Sequence, residues 1–161
     1  MFTLSCELRL PRPREEVFRF FADAFNLEAI TPPWLRFRVL TPGPIQMQKG
    51  TRIHYRLKLH GIPIRWESEI TVWNPPFCFV DEQRTGPYRR WIHEHRFQEE
   101  SGETFVTDHV EYSVPGGSLV NRLFVAPDLH NIFEFRRRIL LEIFGRAQKS
   151  VPPVFRTCGR N

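Results

Sequence analysis

The first ten residues alternate between apolar and polar side chains. The apolar parity comprises Phe2, Leu4, Cys6, Leu8 and Leu10. A period of two is typical of a strand with one buried face. The sequence therefore predicts a half-buried strand over residues 2–10, ended by the prolines at positions 11 and 13.

A short helix is predicted next. Pro13 followed by Glu15 and Glu16 is typical of a helix start, because proline fits the first turn and acidic side chains interact favourably with the helix dipole. Val17 and Phe21 then lie on one helical face, and the segment after them is predicted to be irregular.

The pairing register of a long hairpin can be predicted from the residues on both of its faces. A two-residue turn at His60-Gly61 aligns apolar residues on one face and opposite charges on the other. The main predicted pairs are Leu59 with Ile62, Leu57 with Ile64, Tyr55 with Trp66, Arg52 with Glu69, and His54 with Glu67.

Three more strands are predicted at 77–84, 88–97 and 104–114, with a loop at 98–102 between the last two. The strand at 77–84 is apolar on both parities at its start, so its inward face is not assigned.

A terminal helix is predicted from Asp128 to Phe144. Its apolar stripe comprises Leu129, Ile132, Phe133, Leu140, Ile143 and Phe144. The order of elements predicts an α+β fold in which an antiparallel sheet curls around this helix. One helix cannot fill the concave face of such a sheet, so we expect a cavity there, which is the usual place for a small-molecule site.

Composition narrows the function classes. The chain has 161 residues and 41% hydrophobic content, as expected for one globular domain. The net charge of +5 comes from scattered Arg residues with interleaved acids, so no nucleic-acid partner is expected. No signal peptide and no transmembrane run is recognised, which predicts a cytoplasmic protein without stable membrane insertion.

Candidate chemistry lies on the strand at 88–97. Its better interior parity carries Trp91, His93, His95 and Phe97. Asp108 is an acid on an otherwise apolar parity of the next strand. Pairing Phe97 with Thr104 places His93 opposite Asp108, whereas a slip of two residues places His95 there.

Three interpretations of this His–Asp pair remain open. Asp108 and a histidine can satisfy each other's hydrogen bonds in the core, which is the favoured interpretation. They can line the cavity and orient a ligand or act as a general acid and base. Two histidines and a carboxylate can also hold a metal ion, although this pattern is short and permissive and no metal site is predicted from it.

Arg136 lies on the apolar stripe of the terminal helix. The favoured interpretation is an arginine whose stem packs while its head reaches water. The alternative is a guanidinium at the cavity mouth that pairs with an acidic group of a ligand.

The sequence resembles the START-related SRPBCC superfamily, and within it the bacterial ligand-binding, polyketide-cyclase-like branch. The resemblance covers about residues 1–145 and rests on the order and spacing of several segments. These are Pro13-Arg14-Glu15-Glu16-Val17-Phe18, the stretch from Asn26 to Leu35, Gly86-Pro87-Tyr88 leading to Trp91, His93, His95 and Phe97, then Asp108, Val110 and Tyr112, and Phe133-Glu134-Phe135-Arg136.

This resemblance implies a helix-grip fold, with about seven antiparallel strands around a C-terminal helix and short helices after the first strand. It implies one ligand-binding domain at 1–145. The remaining residues, 146–161, are polar and contain Pro152-Pro153, so they are expected to form a tail. The expected function is binding of a small hydrophobic molecule such as a lipid, an aromatic compound or a polyketide. The expected ligand-binding residues are Tyr55, Trp66, Trp91, His93, His95, Phe97, Asp108, Tyr112 and Arg136.

Two other functions stay open. The first is a cyclase or dehydratase that uses His93 or His95 with Asp108 and needs no cofactor. The second is a module that binds a protein partner and has a vestigial cavity, which a cavity below about 300 Å³ would favour. A binding module is favoured over an enzyme. No cofactor is expected, and a homodimer is possible.

Overall fold

Seven antiparallel strands form one curved sheet in the computed structural model, which describes residues 1–145. The predicted tail at 146–161 lies outside the described residues. The spatial order is β1-β7-β6-β5-β4-β3-β2. The strands are β1 Phe2–Leu10, β2 Arg38–Val39, β3 Arg52–Leu59, β4 Ile62–Asn74, β5 Cys78–Thr85, β6 Arg90–Glu100 and β7 Glu103–Ser113.

The helices lie after β1 and after β7. They are α1 Arg14–Phe21, α2 Asn26–Ala29, α3 Gly117–Val120 and α4 Ala126–Phe144, with a 3-10 turn at Pro33–Leu35 and a π-helical turn at Asn121–Val125. This arrangement confirms the predicted α+β helix-grip architecture.

The β3–β4 hairpin has the predicted register. Leu59 pairs with Ile62, Tyr55 with Trp66, and Arg52 with Glu69, around the turn at His60-Gly61. His60 Nε2 lies 2.7 Å from Asp128 Oδ2, so the end of this hairpin contacts the start of α4.

The predicted loop at 98–102 is wrong. β6 continues to Glu100, and a two-residue turn at Ser101-Gly102 leads into β7. Both turn residues have positive φ, 54° and 78°, as a tight hairpin turn of this kind requires. Because the turn is short, Phe97 pairs with Val106 and His95 pairs with Asp108. The second of the two predicted registers is therefore correct.

The terminal helical segment begins earlier than predicted. Helical backbone starts at Gly117 and passes through the π-helical turn before α4. Pro127 lies directly after the π-helical turn, at the start of α4. Ile143 was predicted on the buried stripe but is 45% exposed, because Leu140 and Phe144 occupy the face that meets the core.

The core consists of three apolar groups around the concave side of the sheet. One joins α1, the central strands and the end of α4, a second joins β1, β7 and the start of α4, and a third lies under β3. Nowhere in residues 1–145 is a helix both long enough and apolar enough to cross a bilayer.

We predict that Phe97→Ala lowers the free energy of unfolding by about 3–5 kcal/mol, since it leaves a void in a packed core. Phe97 is 1% exposed, and its ring lies 5.2 Å from those of both Phe18 and Phe21. Urea unfolding followed by circular dichroism measures the change. Phe124→Ala is the matched control because Phe124 is 56% exposed, and an equal loss in both variants would contradict the prediction.

Candidate functional site

A cavity of about 190 Å³ lies between the concave face of the sheet and α4. Its walls are mostly apolar and aromatic, and its polar lining is confined to a few side chains. The walls include Tyr55, Leu57, Trp66, Trp91, Leu129 and Ile132, and the polar lining includes Ser68, Asp81, His93, His95 and Arg136.

Four of the polar residues in this region form a cluster across three adjacent strands. Asp81 on β5 pairs with His93 on β6, and His95 on β6 pairs with Asp108 on β7. Alternate residues of a strand point to the same side, so all four side chains meet on the concave face. We call these four residues the His–Asp cluster.

Each histidine in the His–Asp cluster lies between the two carboxylates. His93 Nε2 donates to Asp108 Oδ1 at 3.1 Å, and His93 Nδ1 lies 3.7 Å from Asp81 Oδ2. His95 Nε2 donates to Asp81 Oδ2 at 3.2 Å, and His95 Nδ1 lies 2.7 Å from Asp108 Oδ1. The two imidazole rings are 3.8 Å apart between centroids.

A hydrogen-bonded chain extends the cluster along the cavity wall. Trp66 Nε1 donates to Ser68 Oγ at 2.9 Å, and Ser68 Oγ donates to Asp81 Oδ1 at 3.3 Å. Asp81 is therefore held from one side by Ser68 and from the other by His95. Its carboxylate keeps one orientation although it is only half-buried.

Aromatic rings hold the histidines in place. Phe79 stacks on His95 with centroids 4.2 Å apart and planes at 21°. The rings of Phe133 and Trp91 lie 5.7 and 6.1 Å from that of His93. Both histidines are buried, so neither ring can turn without displacing these neighbours.

Both carboxyl groups of the cluster favour the ionised form. Burial opposes ionisation of Asp108, but hydrogen bonds and charges from His93 and His95 hold its pKa well below the usual range. Burial likewise opposes ionisation of Asp81, and the hydrogen bond from His95 together with the nearby positive charges lowers its pKa.

The two histidines are shifted in opposite directions. Burial and the charge of His95 lower the pKa of His93, and its carboxylate partners do not compensate fully. Burial also acts to lower the pKa of His95, but Asp108 and Asp81 outweigh it and raise that pKa. The cluster thus places a neutral imidazole beside one that favours protonation.

Arg136 projects from α4 into the same cavity. Its guanidinium carbon lies 5.0 Å from the centroid of the Phe133 ring. Its Nε is buried and has no hydrogen-bond partner among residues 1–145. A buried donor without a partner costs roughly 1–3 kcal/mol, so this position favours an acceptor supplied by a ligand.

The structure brings six of the nine predicted ligand-binding residues to the cavity wall. These are Tyr55, Trp66, Trp91, His93, His95 and Arg136. The other three do not line the cavity. The side chain of Phe97 packs into the core, Tyr112 is covered by Tyr88 and Trp91, and Asp108 lies behind the two histidines.

Sequence reasoning missed Asp81. Its strand was not oriented, because both parities begin with apolar residues. The parity that carries Phe79 and Asp81 is the inward one, and the cross-strand pair Asp81–His93 follows from the β5–β6 register. The other parity carries Glu82 and Arg84, which make ion pairs on the outer face. These two charged residues could have identified the outer face of the strand from the sequence.

Three residues of the His–Asp cluster have side chains of the types that bind metal ions. One ligand atom from each of Asp81, His93 and His95 lies within 4.8 Å of the others. Two imidazoles and one carboxylate are a recurrent set for divalent transition metals.

Comparison by sequence identifies one family. Residues 10–147 match the family model described as polyketide cyclase / dehydrase and lipid transport. No curated protein matches the chain.

Several solved structures share the fold at low sequence identity. A protein of Chromobacterium violaceum is 14% identical with a TM-score of 0.71, over 90% of this chain and 98% of that one. The ZhuI aromatase/cyclase of Streptomyces sp. R1128 is 13% identical with a TM-score of 0.69, over 89% and 93%. The major latex-like protein 151 of Panax ginseng is 10% identical with a TM-score of 0.66, over 89% and 97%.

We predict that Asp81→Asn lowers the pKa of His95, because it removes a negative charge 3.2 Å from Nε2. Titration of the imidazole C–H signals by NMR measures this pKa. Glu111→Gln, which changes a side chain near His109 on the outer face, is the control and should leave the pKa of His95 unchanged. An unchanged value in Asp81→Asn would contradict the described cluster.

Proposed function

Since the chain belongs to the polyketide cyclase/dehydrase and lipid transport family, we propose that it binds a small, largely hydrophobic molecule with an acidic group in the cavity between the sheet and α4. The observation that carries this proposal is Arg136, a cation on the wall of a largely apolar cavity, whose buried Nε lacks a hydrogen-bond partner within residues 1–145.

The cavity wall supports a ligand with a flat apolar body. Trp66 and Trp91 line the cavity together with Tyr55, and the indole centroids of the two Trp residues are 5.4 Å apart in an edge-to-face arrangement. Aromatic faces bind planar rings by offset or edge-to-face contact. The polar lining comes from a few side chains on the sheet and from Arg136 on α4, so a ligand with one polar group on an apolar body would suit it.

The volume restricts the size of the ligand. A cavity of about 150 Å³ in another protein accepts benzene. The cavity of about 190 Å³ therefore suits one ring or two fused rings better than a long acyl chain. A lipid would require the cavity to expand.

The volume alone favours the alternative of a protein-binding module, because it is below about 300 Å³. The chemistry of the wall favours a ligand instead. The cavity surface carries Asp81, Arg136 and two histidines, and a few polar groups in an apolar pocket typically orient a bound ligand. Burying the Arg136 guanidinium has a cost that a bound acid would offset.

We predict that 2-naphthoate binds and quenches the fluorescence of Trp66 and Trp91. Its carboxylate would accept from Arg136, so Arg136→Met should weaken binding about 10- to 100-fold, the loss expected for a hydrogen bond to a charged group. Fluorescence titration at low salt measures the dissociation constant.

Two controls accompany this titration. Arg138→Met changes an exposed arginine on the same helix and should bind as the unaltered protein does. The neutral analogue 2-naphthamide should bind more weakly and lose little affinity in Arg136→Met. Equal losses for the acid and the amide, or no binding of either, would contradict the proposal.

Acid–base catalysis is a second candidate function. It is favoured by the opposite pKa shifts of His93 and His95 in adjacent rings, because such pairs divide the roles of proton acceptor and donor. A bound carbonyl compound could lose an α-proton to His93 while His95 donates to the carbonyl oxygen.

We predict that the protein accelerates exchange of the methyl protons of 2-acetonaphthone for deuterium in D2O. A positioned general base contributes about 10²- to 10⁴-fold. NMR follows the loss of the methyl signal. His93→Asn should abolish the acceleration, and His54→Asn, on the exposed face of β3, should not. Exchange no faster than in buffer would exclude this function for this ketone class.

A further inference from the structure

In the His–Asp cluster, each carboxylate faces one nitrogen of both histidines. His93 Nδ1 and His95 Nε2 both face Asp81 Oδ2, at 3.7 and 3.2 Å. The opposite nitrogens, His93 Nε2 and His95 Nδ1, both face Asp108 Oδ1, at 3.1 and 2.7 Å. Each imidazole therefore has one nitrogen facing Asp81, which lines the cavity, and the other facing Asp108, which lies deeper in the core.

From this arrangement we propose that Asp81, His93 and His95 form a binding site for a divalent first-row transition metal ion, with Asp108 as the carboxylate that orients both imidazoles. The proposal goes beyond binding of an organic ligand and does not depend on it.

The spacing of the donor atoms supports the site. Zinc ligands lie about 2.0–2.2 Å from the ion, so neighbouring ligand atoms are about 3–3.5 Å apart. The distances from Asp81 Oδ2 to the two facing nitrogens are 3.2 and 3.7 Å. One ligand atom from each of the three residues lies within 4.8 Å of the others, so a bound ion would draw these atoms closer together.

Asp108 has the position of an outer-shell carboxylate. A histidine that binds a metal through one nitrogen usually donates its other N–H to a carboxylate or carbonyl, which fixes the tautomer. Asp108 Oδ1 accepts from His93 Nε2, so the lone pair of His93 Nδ1 points toward Asp81. His95 Nδ1 lies 2.7 Å from the same oxygen, and His95 Nε2 would have to release the proton that it donates to Asp81 in order to bind the ion. Ser68 donates to Asp81 Oδ1, so Oδ2 is the oxygen that faces the two histidines.

Charge also supports a cation at this position, because the carboxylates of Asp81 and Asp108 face the two imidazoles at 2.7–3.7 Å. Buried carboxylates require neighbouring positive charge, which a divalent ion would supply.

The proposed site opens onto the cavity. Asp81, His93 and His95 line it, whereas Asp108 does not. Three protein ligands leave at least one coordination position free, and this position faces the space available to a small molecule. An oxygen or nitrogen of that molecule could complete the coordination.

Titration of the metal-free, untagged full chain with Zn²⁺ and with Co²⁺ tests the proposal, with no organic ligand present. We expect one ion per chain by native mass spectrometry, visible absorption bands on Co²⁺ binding, and NMR shifts of His93 Nδ1 and His95 Nε2 on Zn²⁺ binding. Asp81→Asn should weaken binding at least about 100-fold, and Asp108→Asn about 10- to 100-fold. His54→Gln, which changes an exposed histidine near Glu67, should bind as the unaltered protein does.

Absence of stoichiometric Zn²⁺ and Co²⁺ binding by the unaltered protein would overturn the proposal, and so would a folded Asp81→Asn variant with unchanged affinity. If Asp81→Asn does not fold, the histidine shifts in the unaltered protein decide. Shifts of His54 instead of His93 and His95 would overturn the proposal. Because these measurements use no organic ligand, failure of naphthoate binding leaves their outcome unaffected.

Discussion

The mutual contact of two carboxylates and two imidazoles beneath the cavity is the constraint on which the rest of the site depends. Burial opposes the charged form of both Asp81 and Asp108, and hydrogen bonds and charges from His93 and His95 oppose this effect and lower the pKa of both carboxyl groups. The histidines in turn are held by ring contacts with Phe79, Phe133 and Trp91. The polar groups of the cavity are therefore held in place by aromatic residues of the core.

Sheet register makes this contact possible. The two-residue turn at Ser101-Gly102 sets His95 opposite Asp108, and the β5–β6 pairing sets Asp81 opposite His93. A change of register by one residue on either side would turn a carboxylate to the outer face. The position of the cluster at the wall then depends on α4, which closes the concave face and brings Arg136 to the same cavity.

Much of the fold could be predicted from the sequence, because alternation and helical periodicity identify the buried faces. The β3–β4 register was predictable since apolar pairs and charged pairs agreed on opposite faces. The inward position of His93 and His95 followed from their parity with Trp91 and Phe97. The tight β6–β7 turn was missed because polar residues at 98–100 are equally compatible with a loop or an exposed strand end.

The site itself was only partly predictable. Asp81 was missed because both parities of its strand begin with apolar residues. The inward face of such a strand can be assigned only from its pairing with the neighbouring strand. Phe97 and Tyr112 were assigned to the cavity on parity alone, which identifies the buried face but does not separate residues that fill the core from residues that border a space. Position along the strand relative to α4 makes that distinction, and it is a property of the tertiary structure.

A crystal structure of the protein with 2-naphthoate tests the central claim most directly. The account predicts electron density for the rings against Trp66 and Trp91, with the carboxylate within hydrogen-bond distance of Arg136 and close to the His–Asp cluster. A cavity that stays free of the acid at saturating concentration, or an acid bound only on the outer face of the sheet, would contradict it.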